Sequence, residues 1–187
     1  MKKNNSNTFS RRKFIASGTL LMSGLFLDCN ISLANFSNYS LGKSALTFSY
    51  FPDPLYTFLW RNWYLVPLER IAKVVKAKPK DILIIGKMMG LSRPKFISED
   101  QQRRSYLTVI RCNWHLLPRE QLLKLLDWTD EKLSFTLQED DFFYIKLGSI
   151  KPVCQPILYT VPTAAVKTRL KWIKKVLSEE FPNGYLN

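Results

Sequence analysis

The chain has 187 residues, of which 28 are Lys or Arg and 15 are Asp or Glu, so its formal net charge at pH 7 is +13. This charge favours acidic partners such as nucleic acid, anionic polysaccharide or lipid headgroups. One histidine and three cysteines are too few and too scattered for a zinc site or a Cys–His nucleophile. Glycine loops for phosphate and the Gly-x-Ser-x-Gly motif are also missing from the sequence. We therefore expect no metal, no cofactor and no catalytic residue.

The first 34 residues have the layout of a signal peptide. A twin-arginine motif precedes a diluted apolar run, and small residues end at a predicted cleavage site after Ala34. The motif residues are Ser10, Arg11, Arg12 and Phe14. The apolar run is about a dozen residues long, against the roughly 20 that a membrane-spanning helix needs. We predict export by the Tat pathway to the periplasm or beyond, without a transmembrane segment in the mature chain; the alternative is a basic tail before a buried helix.

Cleavage would remove five basic residues and one acidic residue, so the net charge falls by 4, from +13 to +9. The remaining residues, about 153, suffice for one domain. Two thiols stay in the mature chain, Cys112 and Cys154. In an oxidising compartment they could form a disulfide, and the alternative is two buried free thiols.

A stretch of the chain occurs twice. Asn62–Val75 and Asn113–Leu126 align at an offset of 113 − 62 = 51 residues, with Asn, Trp, Leu, Pro, Glu and Lys identical. A fixed period of this kind predicts a repeated supersecondary unit. We predict that its core is formed by Asn62, Trp63, Pro67 and Glu69 in one copy and by Asn113, Trp114, Pro118 and Glu120 in the other.

The elements before and inside the first unit follow from turn and capping residues. A polar tether, residues 35–53, ends where Asp53 can cap a helix that has Pro54 in its first turn. The bulky segments Thr57–Leu59 and Thr108–Ile110 are typical of strands or extended lead-ins. Each unit is then predicted to be a helix, a tight turn and a second helix, at 54–91 and 106–148, joined by a linker at 92–105.

Within each unit the first helix begins at the proline and has its Glu in the first turn, where the helix dipole favours negative charge. Spacing of i, i+3, i+4 predicts one apolar face per helix. The predicted faces are Ile71, Val74 and Val75 in one copy and Leu122, Leu125 and Leu126 in the other. The second helices begin at Pro79 and after the capping Thr129, and the first of them ends at Gly90. Their predicted apolar residues are Ile82, Ile85 and Met89 in one copy and Leu133, Phe135 and Leu137 in the other.

The C-terminal part, 149–187, is predicted as an extended, proline-containing segment and a closing helix, Ala164–Glu180. The aromatic, β-branched run Phe142–Gly148 before it is predicted to be a strand. The helix has an apolar face and a basic face, the latter formed by Lys167, Lys171, Lys174 and Lys175. The expected fold class is therefore mainly α with minor β: two tandem helix-turn-helix-like units, a few short strands and a basic amphipathic helix at the C-terminus.

Each candidate functional feature has a structural alternative that is commoner. The basic face could bind a membrane surface or an acidic polymer, but most such faces are simply solvated. The cluster Glu139–Asp141 could hold a metal or catalytic carboxylates, but pairing with Arg103, Arg104 or another nearby cation is the better interpretation. His115 takes the place of Tyr64 in the other copy, which indicates packing. Core positions are likewise expected for Trp63, Trp114 and Trp128.

Gln121–Leu137 resembles the helix-turn-helix superfamily in its apolar spacing, and this resemblance implies DNA binding. The charges oppose it, because a recognition helix needs Lys or Arg near phosphates. Its second helix instead combines a single Lys132 with five acidic residues, Asp130, Glu131, Glu139, Asp140 and Asp141.

The segment from Asn113–Pro118 through Asp141-Phe142 to Lys146–Gly148 resembles a region near the start of large exported, mostly uncharacterised, glycoside-hydrolase-like bacterial proteins. The resemblance implies a leading module or truncated form of a carbohydrate-related protein, with any catalytic domain beyond Asn187, and it assigns no catalytic residue. The first hypothesis is thus an exported non-catalytic accessory or interaction module that binds anionic polysaccharide or another exported protein. Alternatives are a nucleic-acid-binding protein and, third, an enzyme that uses the acidic cluster.

Overall fold

The computed structural model describes residues 49–140 and 143–182. The predicted signal motif, the cleavage site at Ala34 and most of the tether lie outside these residues. The described part is mainly α-helical, as predicted, but the predicted short strands are wrong there, since only a single bridge residue, Val153, has β geometry. The helices are α1 (Pro54–Asn62), α2 (Leu68–Val74), α3 (Pro79–Met89), α4 (Glu99–Asn113), α5 (Arg119–Leu126), α6 (Asp130–Glu139), α7 (Phe143–Lys146) and α8 (Ala164–Glu180).

Each copy of the repeat contains three helices rather than two. The segments Thr57–Leu59 and Thr108–Ile110, predicted as strands, lie inside α1 and α4. Local capping explains the difference: Asp53 Oδ1 accepts from the N–H of Leu55 at 2.7 Å, and Ser98 Oγ accepts from that of Gln101 at 3.2 Å. Because α4 begins at Glu99, the second half of the predicted linker 92–105 is helical.

The prolines of the repeat lie one position before their helices. Pro67 and Pro118 are the N-cap residues of α2 and α5. Glu69 and Glu120 occupy the first turns, as predicted, but both side chains are exposed, so they are not part of the core. Their place near the positive end of the helix dipole accounts for the repeated Glu without any packing role.

The apolar faces predicted for the second and third helices of each copy are buried with one exception. Phe135 is 66 % exposed, because it lies between the buried positions Leu133 and Leu137 and points away from them. Gly90 ends α3 in the left-handed conformation, at φ 85°, as predicted.

The turns that follow α1 and α4 have the same hydrogen bonds. The carbonyl of Asn62 accepts from the N–H groups of Leu65 and Val66 at 3.0 and 3.1 Å. The carbonyl of Asn113 accepts from those of Leu116 and Leu117, both at 3.0 Å. The two copies therefore enter their prolines with the same backbone geometry.

The ends of α2 and α5 also match. Lys76 and Asp127, 51 residues apart, both adopt the left-handed conformation, at φ 57° and 59°. In the next residue the N–H of Ala77 donates to Ala72, and that of Trp128 donates to Leu123. These 6→1 bonds are the Schellman arrangement that satisfies the last carbonyls of a helix.

Equivalent helices of the two copies pack against each other, α1 against α4 and α2 against α5. This is the arrangement of an isologous dimer, in which one surface meets its own copy across a two-fold axis. The third helices differ, since α8 covers α3 whereas α7 lies on α6. None of the helices among the described residues is long and apolar enough to cross a membrane.

The C-terminal elements contain one confirmed prediction and one correction. The closing helix has the predicted bounds, and Thr163 Oγ1 caps it by accepting from Val166 at 3.3 Å. The predicted strand Phe142–Gly148 is wrong, because Phe143–Lys146 forms the short helix α7. Folding the chain into a turn here brings the buried Phe143 into the same core as α6.

Candidate functional site

Two asparagines lie at the centre of the contact between the copies. Asn62 Nδ2 donates to Asn113 Oδ1 at 2.9 Å, and Asn113 Nδ2 donates to Asn62 Oδ1 at 2.8 Å. Each amide also donates to the carbonyl four residues before it, in Phe58 and Val109 respectively. Both residues are fully buried. The pair is thus a satisfied polar network that fixes how the copies meet.

On one side of this centre the chain fills a groove with its own C-terminal segment. Gln121 Oε1 accepts from the N–H of Ile157 at 2.8 Å, and Gln121 Nε2 donates to the carbonyl of Ile157 at 2.7 Å. Two residues on, the N–H of Tyr159 donates to the carbonyl of Val75 at 2.8 Å. Bonds from alternate residues to the same side are typical of an extended chain. We call this the filled groove. Its floor consists of Val74, Val75 and Gln121, which hydrogen bonds join to the segment or to one another, and of Leu55 and Leu116, which line a cavity together with residues 153–158.

Lys151 anchors the start of the same segment. Its ammonium group donates to the carbonyl of Trp114 at 2.5 Å, approaches Cys154 Sγ at 3.4 Å, and lies 5.4 Å from the centre of the Trp114 ring. Burial lowers the pKa of Lys151, while the adjacent Cys154 opposes that shift. The side chain therefore holds residues 151–154 against the Asn-Trp turn of the second copy.

A second groove occupies the equivalent position on the other side of the centre. Each floor residue of the filled groove has an equivalent in the other copy of the repeat, 51 positions away in the sequence. These equivalent residues line a cavity of about 600 Å³. We call this the open groove; its floor is Leu65, Arg70, Tyr106, Leu125 and Leu126. Among the described residues no chain segment lies in it as 153–159 lie in the filled groove.

The open groove has its own polar and aromatic groups. Arg70, which replaces Gln121, is paired with Asp127 at 3.6 Å. The rings of Tyr106 and Trp128 form one wall, with centroids 5.3 Å apart, and Lys132 lies 4.5 Å from the centre of the Trp128 ring. Trp128 is only partly buried, although it packs against the core, whereas Trp63 and Trp114 are fully buried as predicted.

The C-terminal segment does not close the filled groove completely, since a cavity of about 640 Å³ remains between this segment and residues 49–55. His115 and Cys154 are in its wall. His115 Nδ1 is buried without a hydrogen-bond partner among the described residues. Burial is the main cause of the lowered pKa of His115, and the positive charges of Lys151 and Arg61 add to it. Both effects disfavour the charged form of the imidazole.

The remaining predicted site residues are not brought together. Cys112 and Cys154 are both free thiols, so the disulfide considered above is not formed in this structure. Asp140 accepts from the hydroxyl of Tyr106 at 2.6 Å, whereas Arg103 and Arg104, its expected partners, pair with Asp100. No group of three or more His, Cys, Asp or Glu within the described residues could hold a metal ion.

The basic face of α8 is exposed along its length, with Lys167, Lys171, Lys174 and Lys175 in contact with solvent. Trp172 is 48 % exposed on the same helix, and the guanidinium of Arg169 lies 4.0 Å from its ring centre. The helix-turn-helix formed by α5 and α6 has a different character. Its second helix begins with Asp130 and Glu131, and Arg119 neutralises Asp130 and lowers its pKa.

Gln121, Arg70 and Lys151 are the functional candidates that sequence reasoning missed. The sequence contains a signal for the first two, because they occupy the same place in the repeat and differ in chemistry, although most of their neighbours match. It contains no such signal for Lys151, because the contacts of Lys151 with Trp114 and Cys154 depend on the path of a segment without regular structure. Comparisons of the chain with family models, with curated proteins and with solved structures give no match in any of the three.

Proposed function

We propose that the chain is a non-catalytic interaction module that docks a protein partner in the open groove. One observation supports this proposal: of two equivalent grooves, the chain occupies one with its own residues 153–159, and no segment of residues 49–140 or 143–182 occupies the other. The open groove combines three leucines with the partly buried cation of Arg70 and the rings of Tyr106 and Trp128, and protein interfaces are enriched in aromatic residues and arginine.

The proposal includes export and a link to carbohydrate-related proteins. The twin-arginine residues Arg11 and Arg12 and the apolar run after them support export. The resemblance of Asn113–Gly148 to a leading region of glycoside-hydrolase-like proteins supports the second part. In this interpretation the partner is another exported protein, and the module is the leading part of a larger assembly.

Site-specific photo-crosslinking in the native cells tests the proposal. A photoreactive phenylalanine at position 106 lies in the open groove, whereas one at the adjacent position 107 lies outside its lining, where Leu107 is 37 % exposed. We expect a discrete protein adduct from position 106 only. It should disappear when Ser105→Trp fills the groove and persist with Leu107→Trp on the same helix. Equal adducts from both positions, or none from position 106, would contradict a docking role.

A second candidate partner is an anionic polysaccharide on the basic face of α8. The observation that favours it is the exposed Trp172 beside four exposed lysines, since an aromatic ring can stack on a sugar while the cations meet its acidic groups. Binding of the full chain to polygalacturonate should weaken with salt and with Lys167→Ala/Lys171→Ala/Lys175→Ala. Binding that depends on neither would count against this surface.

A further inference from the structure

We infer that the open groove binds an extended, proline-containing polypeptide, in the way that the filled groove binds residues 153–159 of the chain itself. This inference rests on the proposed function and names the kind of partner. Its basis is the equivalence of the two grooves. Because one groove holds a segment of known sequence, that segment indicates what the equivalent groove can bind.

The occupant of the filled groove defines the chemistry. It is a non-helical segment that follows Pro152 and contains Pro156, and Ile157 is buried at the point where Gln121 binds its backbone. Proline suits such a segment, because it fixes an extended backbone in advance and so reduces the entropy lost on binding. The recognised features are thus main-chain groups, one aliphatic side chain and neighbouring prolines.

The open groove offers the same main-chain bonds with different groups. The amide of Gln121 supplies both an acceptor and a donor to one residue of the segment. Arginine has donors only, but Arg70 lies against the carboxylate of Asp127, so the two side chains together supply a donor and an acceptor. The Arg70–Asp127 pair can therefore take the role that one glutamine has in the filled groove.

The two grooves also have a backbone carbonyl at equivalent positions. The carbonyl of Val75 accepts from Tyr159, and Leu126 is the residue equivalent to Val75. No hydrogen bond from the described residues reaches the carbonyl of Leu126 at the end of α5. It is available for the N–H two residues beyond the one held by Arg70 and Asp127.

The aromatic wall favours proline in particular. Tyr106 and Trp128 take the positions that the smaller Leu55 and Ala77 have in the first copy of the repeat, and their paired rings remain partly exposed. Proline-rich segments dock in aromatic-lined grooves, where the flat rings receive the pyrrolidine. An occupant with proline would cover these rings and complete the groove.

The test uses a fluorescein-labelled peptide with the sequence of residues 151–162 and a Cys154→Ser change, titrated into the full chain by fluorescence anisotropy. We expect saturable binding at one site, weakened at least about tenfold by Trp128→Ala and by Arg70→Ala, which corresponds to about 1.4 kcal/mol. Trp172→Ala, an exposed tryptophan elsewhere, should leave binding unchanged. A control peptide with alanine in place of both Pro152 and Pro156 should bind more weakly.

A variant that should retain binding separates the loss of a contact from the loss of folding. Arg70→Gln gives the open groove the residue that binds Ile157 in the filled groove, so this variant should bind the peptide at least as tightly as the unchanged chain. Loss of binding in Arg70→Gln would overturn the inference. Binding that depends on Gln121 rather than on Trp128 would also overturn it, because the peptide would then be replacing the chain's own segment in the filled groove. If the peptide fails but the adduct at position 106 forms, the docking role stands and the peptide class is wrong.

Discussion

The side-chain amides of Asn62 and Asn113 donate to each other's oxygen, at 2.9 and 2.8 Å, in the middle of the interior. A pair of identical groups can bond reciprocally in this way only where a two-fold relation brings them face to face. The first residue of the repeated Asn-Trp motif is therefore the residue through which the copies recognise each other.

Removing one partner of the pair should be costly. In Asn113→Ala the Oδ1 of Asn62 loses its hydrogen-bond donor inside the core, although Nδ2 still donates to the carbonyl of Phe58, and an unsatisfied buried polar group costs about 1–3 kcal/mol. We expect urea unfolding to show a loss of this size for either single variant. The double variant should lose less than the sum of the two, since the second change leaves no orphaned amide. Additive losses would argue against the reciprocal bond.

Gly86 should not tolerate a larger residue. A Cβ at this position would overlap the six-membered ring of Trp63, whose Nε1 is held by a bond of 2.7 Å to the carbonyl of Ser92. Overpacking of this kind typically costs about 1–3 kcal/mol. Gly86→Ala should therefore lower the thermal midpoint, and Trp63→Phe should recover part of the loss when the two are combined. Equal stability of Gly86→Ala and the parent would contradict the contact.

Gln121 should control the attachment of the C-terminal segment. Gln121→Ala removes the acceptor for the N–H of Ile157 and the donor to its carbonyl. Hydrogen exchange of the Ile157 and Tyr159 amides should accelerate, while amides within α1 keep their protection. Gln102→Ala, a glutamine at the rim of the open groove, serves as the control and should not affect these amides.

Stability should fall in acid partly through His115. Because its pKa is lowered in the folded state, the unfolded chain binds a proton more readily, near its ordinary pKa of 6.5. This contribution is complete above pH 6.5 and is lost as the pH falls through the folded-state pKa, with a slope of at most about 1.4 kcal/mol per pH unit. His115→Tyr, which copies Tyr64 of the first repeat, should flatten the profile of unfolding free energy below pH 6.5. Parallel profiles would show that His115 makes no contribution.

Export should depend on the paired arginines. In the full chain with a C-terminal reporter, Arg11→Lys/Arg12→Lys should retain the product inside the cell, although the charge is unchanged, because the Tat signal requires the arginine pair. Lys2→Gln/Lys3→Gln, which lowers the charge outside the motif, should still be exported. Fractionation of the cells measures both, and normal export of the arginine variant would rule out this pathway.

Local signals in the sequence predict much of the helical structure. Asp53 and Thr129 cap helices where their side chains can reach the next free N–H groups, and Gly90 ends one where only a left-handed residue fits. The closing helix was predicted to the residue, since Thr163 caps it and its apolar spacing is unbroken. The strand propensity of Thr57–Leu59 gave a wrong prediction, because these residues lie in a helix that buries all three side chains in the core.

The candidate grooves could not be predicted in the same way. Periodicity shows that Val74, Val75, Leu125 and Leu126 face inward, but it does not show that α2 meets α5. Gln121 reaches Ile157 across 36 residues of chain, a distance at which no local rule applies. Comparing the copies position by position is the one sequence operation that would have singled out Gln121 and Arg70.

Because α4 and α5 supply the surfaces that α1 and α2 cover, neither half of the chain encloses a complete interior by itself. A break in the helix-free stretch 91–98 would leave two fragments that stay largely unfolded when separate and recover their helices on mixing. The same stretch could also act as the hinge of a domain-swapped dimer, since each half can pack against the other half of a second molecule as it does against that of its own chain.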